Sequence, residues 1–173
     1  VLRGKKDGPT LFICAAVHGD EINGVETIRR LLKLNILSRI RGTLIAVPIV
    51  NVFGFISHSR YLPDRRDLNR SFPGSESGSL TARLAHLFMT EIALNSHYGI
   101  DLHSGATYRT NLPQIRASTD DERTRDLAYS FPVPVILDTK LQDGSLRQAV
   151  QDNRIPVLLY EAGEALRFDE WAI

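Results

Sequence analysis

The sequence predicts an α/β fold of three layers, with a central mixed but mostly parallel sheet between helices. Three observations predict it. Short apolar runs alternate along the chain with stretches of helical periodicity. The runs Leu11–Val17 and Thr43–Val50 are nearly all apolar, as strands buried on both faces are. The stretch between them has helical spacing, which makes a β-α-β unit of ordinary length and favours parallel strands with a right-handed crossover.

The elements follow in order. Gly8-Pro9-Thr10 leads into the first buried strand, and His18-Gly19 ends it. From Glu21 to Leu37, Ile22, Val25, Ile28, Leu31, Leu32 and Leu34 fall near helical spacing, and Arg29, Arg30 and Lys33 supply a polar face and a basic end. Asn51 to Ser79 has little periodicity and is broken by Gly54, Pro63, Pro73, Gly74 and Gly78. A connection of that length without structure is unusual in a compact domain and is often functional. Leu80–Leu94 returns to helical spacing, with Ser79 or Thr81 as its cap. Strands are expected at Tyr98–His103, Leu112–Ala117, Val133–Leu137 and Ile155–Tyr160, and helices at Asp120–Phe131 and Leu146–Asn153. Asp169–Ile173 reads as the start of another helix. That start, and the absence of an initiating methionine, suggest a fragment of a longer protein.

Composition narrows the function. At 173 residues with 43% hydrophobic and 24% charged content, the chain suits one domain over residues 1–173. A net charge of +1 gives no electrostatic case for nucleic acid or an anionic membrane. No apolar stretch reaches the length of a membrane span, and no signal peptide is visible. The single cysteine, Cys14, excludes an internal disulfide framework and fits a reducing, cytoplasmic setting. Inside an apolar run it reads as a small buried residue. Homo-oligomerisation is left open.

Ligands in α/β sheets collect at the carboxyl ends of strands. His18, Asn51, His103 and Glu161 each stand at the end of an expected strand. His18 and Glu21 are three residues apart at a strand-to-helix turn where Gly19 permits tight geometry, and His103 comes from a second strand end. Two histidines and a carboxylate form a known catalytic zinc set that leaves one position open. Singly, His-x-x-Glu occurs often by chance; the combination is what is specific. Asp101, two residues before His103 on one strand, faces the same side and either orients the His103 ring or pairs with an arginine. Asp67-Leu68-Asn69-Arg70 offers an amide and a guanidinium suited to a carboxylate, or else a turn tied by local bonds. His58, His86 and His97 read as structural or solvated.

With these motifs in place, the sequence resembles the succinylglutamate desuccinylase/aspartoacylase family of zinc carboxypeptidase-like hydrolases. The resemblance rests on Ala16-Val17-His18-Gly19-Asp20-Glu21, Asp67 to Gly74, Asp101-Leu102-His103-Ser104-Gly105 and Tyr160-Glu161-Ala162-Gly163-Glu164. It implies one zinc per chain on His18, Glu21 and His103, Glu161 as general base and acid, and Asn69 with Arg70 on a substrate carboxylate. Arg60 resembles the family's further arginine, which polarises the scissile carbonyl or binds carboxylate, although Arg65 and Arg66 crowd the same loop. Arg66, Tyr108 and Arg109 are further candidates to line the substrate pocket. The resemblance also implies a smaller β-rich domain following this one. Glu164 competes with Glu161 as base, and Arg147 and Arg154 are weaker candidates for gripping the acyl group.

The expected activity is zinc-dependent hydrolysis of the amide bond of an N-acyl amino acid. A metallocarboxypeptidase cutting a peptide C-terminus would use the same residues. A binding module that keeps the fold would be expected to lack a ligand or the base, and neither is missing.

Overall fold

The computed structural model describes residues 1–173. Seven strands form one sheet: β1 Leu2–Arg3, β2 Lys6–Ala15, β3 Arg41–Val47, β4 Tyr98–Gly105, β5 Asn111–Ala117, β6 Val135–Asp138 and β7 Val157–Glu164. Their order across the sheet is β1-β3-β2-β4-β7-β5-β6. The neighbours β3, β2, β4 and β7 run parallel, as do β5 and β6. Two pairs, β1–β3 and β5–β7, are antiparallel. The helices are α1 Asn23–Leu31, α2 Val52–Ile56, α3 Leu80–Glu91, α4 Glu122–Tyr129 and α5 Leu146–Asp152.

Two-sided burial of the central strands explains their composition. On β2, Phe12 and Cys14 pack toward α3 and α5, while Ile13 and Ala15 pack toward α1. The third cluster, Ile115, Ala117, Ala128 and Leu158, joins α4 to β5 and β7. Helices therefore cover both faces of the sheet, the three-layer arrangement expected. The Phe12 ring lies against the bare Gly99 backbone on the neighbouring strand and meets the Phe88 ring edge-on at 5.7 Å. Complete burial of a side chain this size contributes roughly 1.5–3 kcal/mol.

Several boundaries differ from the sequence reading. Helix α1 stops at Leu31, and Asn35–Arg39 forms a separate 3-10 turn with Leu34 and Ile36 exposed. Glu21 and Ile22 stay outside α1, which frees the Glu21 carboxylate to turn inward. The long 51–79 connection is not structureless. Asn51 caps α2, accepting from Gly54 N–H at 2.8 Å, and Leu68–Arg70 forms a 3-10 turn capped by Asp67. Strand β7 runs on to Glu164, so Glu161 lies within it; His103 likewise lies within β4. His18 sits three residues beyond β2. The expected helix at Asp169–Ile173 is a turn instead. Asp169 is held in place there: its carboxylate accepts from Glu164 N–H and its N–H donates to Asn23 Oδ1, both at 2.9 Å.

Candidate active site

The strand ends deliver their side chains to one cavity of about 410 Å³ at the carboxyl edge of the sheet. His18, Glu21 and His103 line it, all three buried. The Gly19 turn that carries His18 packs directly on the Gly54–Phe55 backbone of α2, with no room for a Cβ. That contact sets where the histidine enters.

Three ligand atoms, one each from His18, Glu21 and His103, lie within 4.8 Å of one another, and all three residues are buried. His18 Nδ1 is 2.7 Å from Glu21 Oε1, and His103 Nδ1 is 2.8 Å from Glu21 Oε2. Ser104 N–H also donates to Oε2, at 3.1 Å. Each ring is held from behind by a second carboxylate: His103 Nε2 by Asp101 Oδ2 at 2.8 Å, and His18 Nε2 by Asp67 Oδ1 at 3.1 Å. Asp101 therefore orients the ring, and no arginine forms an ion pair with it. Asp67 is a partner that the sequence reading had placed only in the loop.

This donor set fits a divalent cation. An Nε2–H given to an outer carboxylate leaves each Nδ1 as a lone pair aimed at a carboxylate oxygen. Lone pairs facing one another at 2.7–2.8 Å require a positive charge between them, a proton or a metal. Burial opposes the imidazolium forms, but Glu21 and Asp67 hold the His18 pKa up, and Asp101 and Glu21 hold that of His103 well up. Burial would likewise raise the Glu21 carboxyl, yet the two histidines keep it far below the usual carboxylate range. Nitrogen and oxygen ligands in a two-histidine, one-carboxylate set suit zinc.

Loss of an outer carboxylate should weaken metal binding without emptying the site. Asp101→Asn is expected to lower metal affinity by about 10- to 100-fold. A competition titration against a chromogenic chelator measures it, and an unchanged affinity would contradict the orienting role.

The 59–70 loop supplies the next wall. Arg60 donates to Asp67 Oδ2 through Nε and Nη2 at 3.1 and 2.9 Å, and to Glu21 Oε1 through Nη1 at 3.4 Å. Of the crowded arginines, only Arg60 and Arg70 line the cavity; Arg65 and Arg66 are exposed on the loop's outer side. Leu146 N–H donates to Asn69 Oδ1 at 2.9 Å, which leaves the Asn69 amide NH2 as the end available to the cavity. Asn51, despite its strand-end position, is fully buried beneath this loop and donates to Arg60 O at 3.3 Å.

Opposite lie Glu161 and a group of cations. Glu161 lines the cavity, whereas Glu164 does not. Glu164 accepts from Tyr108 N–H at 2.8 Å and Thr110 Oγ1 at 3.2 Å, so it staples the loop after β4. Arg109 lines the cavity, but Tyr108 is 92% exposed and does not, contrary to its expected place there. Arg116, Lys140 and Arg147 also line the wall. Arg116 and Lys140 escaped the sequence reading. The available signal was period-2 alternation in β5, where Gln114 and Arg116 interleave with the buried Ile115 and Ala117. His97 accepts from Thr10 N–H at 2.9 Å, a structural bond as expected.

Residues 7–173 match the family model described as the succinylglutamate desuccinylase/aspartoacylase catalytic domain. The chain belongs to this family. A relative, the N-alpha-acetyl-L-2,4-diaminobutyric acid deacetylase of Halomonas elongata, is 35% identical over 134 residues, covering 74% of this chain and 39% of the relative. The product-bound ectoine utilization protein EutE (DoeB) of Ruegeria pomeroyi superposes with a TM-score of 0.87 at 26% identity, covering 98% of this chain and 54% of that one. A succinylglutamate desuccinylase from Silicibacter sp. gives 0.86 at 26% identity, with the same coverage. The chain thus spans between about two fifths and about half the length of these relatives. No helix is long and apolar enough to cross a membrane.

Proposed function

We propose that this chain is the catalytic domain of a zinc-dependent hydrolase that removes the acyl group from an N-acyl amino acid. The observation that carries the reading is the convergence of His18, Glu21 and His103 beside a glutamate and a cationic wall in one cavity. Family membership supports it, and so does the relative named for deacetylating an N-acetyl amino acid. On this reading a smaller β-rich domain follows in the full-length protein.

His18, Glu21 and His103 would hold the zinc, which when bound acidifies water and polarises a carbonyl. Glu161 takes the proton of the attacking water and passes it to the leaving nitrogen as the C–N bond breaks. Arg60, beside the metal ligands, stabilises negative charge developing on the carbonyl oxygen. The Asn69 amide and the Arg70 guanidinium bind the amino-acid carboxylate; Arg109 flanks the entrance.

Charge narrows the substrate further. Six cations line the cavity (Arg60, Arg70, Arg109, Arg116, Lys140 and Arg147) against the carboxylates of Glu21 and Glu161. Arg147 is 6% exposed and bonds only neutral partners, Thr139 Oγ1 at 2.8 Å and Lys140 O at 2.7 Å. Burial, then the nearby Arg116 charge, lower its pKa. A buried cation without an ion pair is costly, and an anionic substrate group would offset that cost. Arg147→Leu is therefore expected to raise KM by about 10- to 100-fold with little change in kcat, the loss of a charged hydrogen bond. A large fall in kcat at constant KM would argue against an anchoring role.

The deciding experiment loads the full-length protein with zinc and screens N-acetyl and N-succinyl amino acids beside short peptides. Release of free amino acid from the acyl substrates, abolished by chelation and restored by zinc, is expected. Preference for peptides would move the assignment to a carboxypeptidase, and an active metal-free preparation would sink it.

A further inference from the structure

Glu161 is gripped by one oxygen only. Gln114 and Arg116 stand two residues apart on β5, so their side chains leave the same face of the strand. Gln114 lies directly opposite Glu161 across the antiparallel β5–β7 pair, and Arg116 lies opposite Leu159. Gln114 Nε2 donates to Glu161 Oε2 at 3.3 Å, and Arg116 Nε approaches the same oxygen to 2.7 Å. The second contact is an ion pair off the N–H direction, since this buried Nε–H has no well-aligned acceptor. Both contacts fall on Oε2, and no hydrogen bond is made to Oε1.

We propose that Arg116, assisted by Gln114, is the positioning residue of the general base, pinning Oε2 so that Oε1 alone exchanges the proton. The inference rests on the assignment of Glu161 as base. A glutamate free to turn about its last torsion presents either oxygen in many directions. The reaction needs one oxygen in one place twice. A water O–H bond breaks and its proton goes to Oε1; the same proton then leaves Oε1 for the departing nitrogen as the C–N bond breaks. A carboxylate already held by its other oxygen needs no reorganisation at either step. The antiparallel insertion of β5 beside β7 makes the grip possible, because it sets Gln114 opposite Glu161 and its same-face neighbour Arg116 on the diagonal.

In the full-length, zinc-loaded protein, Arg116→Met is expected to lower kcat by about 10- to 100-fold through misplacement of the base. KM and zinc content should stay near wild type, and Arg116→Lys should recover part of the loss. Because Arg116 acts through Glu161, Arg116→Met should cost nothing more in a Glu161→Gln background. A raised KM with unchanged kcat, or losses that add in the double variant, would make Arg116 a substrate anchor and overturn the proposal. A crystal structure of Arg116→Met gives a readout independent of turnover. Glu161 should leave its wild-type rotamer or split between conformers, and a single unmoved conformer would refute the pinning. If the wild-type protein cleaves no N-acyl amino acid, the deacylase assignment fails, while the crystal structure still decides whether Arg116 holds Glu161.

Discussion

Replacing Glu21 with glutamine is expected to strip the protein of zinc and abolish its hydrolase activity. Glu21 is 4% exposed and sits between His18 Nδ1, His103 Nδ1 and the Ser104 N–H. A glutamine offers one acceptor where two are used, and turns an NH2 toward a histidine. Breaking a buried charged contact by removing one partner costs about 3–5 kcal/mol, so the variant should also melt earlier. Metal analysis after dialysis, a melting curve and an activity assay check the three effects together. Retention of about one zinc per chain would rule out Glu21 as a ligand. The same chemistry sets a pH dependence. Without metal, His18 and His103 have raised pKa values, so their charged pairing stabilises the fold fully below about 6.5, the unfolded value. That stabilisation is lost as pH rises through the folded values. Zinc must displace these protons, so its affinity grows with pH. The melting shift that zinc produces should therefore widen as pH is raised, and a shift that narrows would contradict the raised histidine pKa values.

The parts of the site legible in the sequence are those whose geometry is local. His18 and Glu21 are joined across one turn, and Asp101 and His103 by the period of a strand. Short spacing fixes such pairs whatever the rest of the fold does. The Asp67–His18 contact spans 49 residues, and nothing along the chain says that the 59–70 loop folds back over the first strand end. Arg116 was hidden for a related reason. Its place beside Glu161 exists only because β5 runs antiparallel against β7 and precedes it in the chain. Strand composition predicted that β5 would form, but not which neighbour it would pair with. The strand ends themselves were misplaced: β7 continues through Glu161 to Glu164 and β4 through Ser104 and Gly105, polar or small residues that a search for apolar runs excludes. His103 and Glu161 face each other in register across β4 and β7, so the sheet sets the proposed metal ligand beside the proposed base.

Exchange of Glu161 for glutamine should separate binding from turnover. Glu161 lines the cavity and makes no hydrogen bond to any of the three proposed metal-ligand side chains; its polar partners are Gln114 and Arg116. Glu161→Gln keeps the shape of the side chain and removes its basicity. Zinc content, fold and KM are expected to persist while kcat falls by about 10²- to 10⁴-fold, the usual worth of a positioned acid–base group. Glu164→Gln supplies the control. Glu164 holds Tyr108 N–H and Thr110 Oγ1, so its loss should loosen the 106–110 loop and lower the melting temperature, with a smaller effect on kcat. The two variants thus predict opposite patterns, one in chemistry and one in stability. If Glu164→Gln instead lost turnover at full stability while Glu161→Gln remained active, the base would be the wrong glutamate. The pinning by Arg116 would then have nothing catalytic to position.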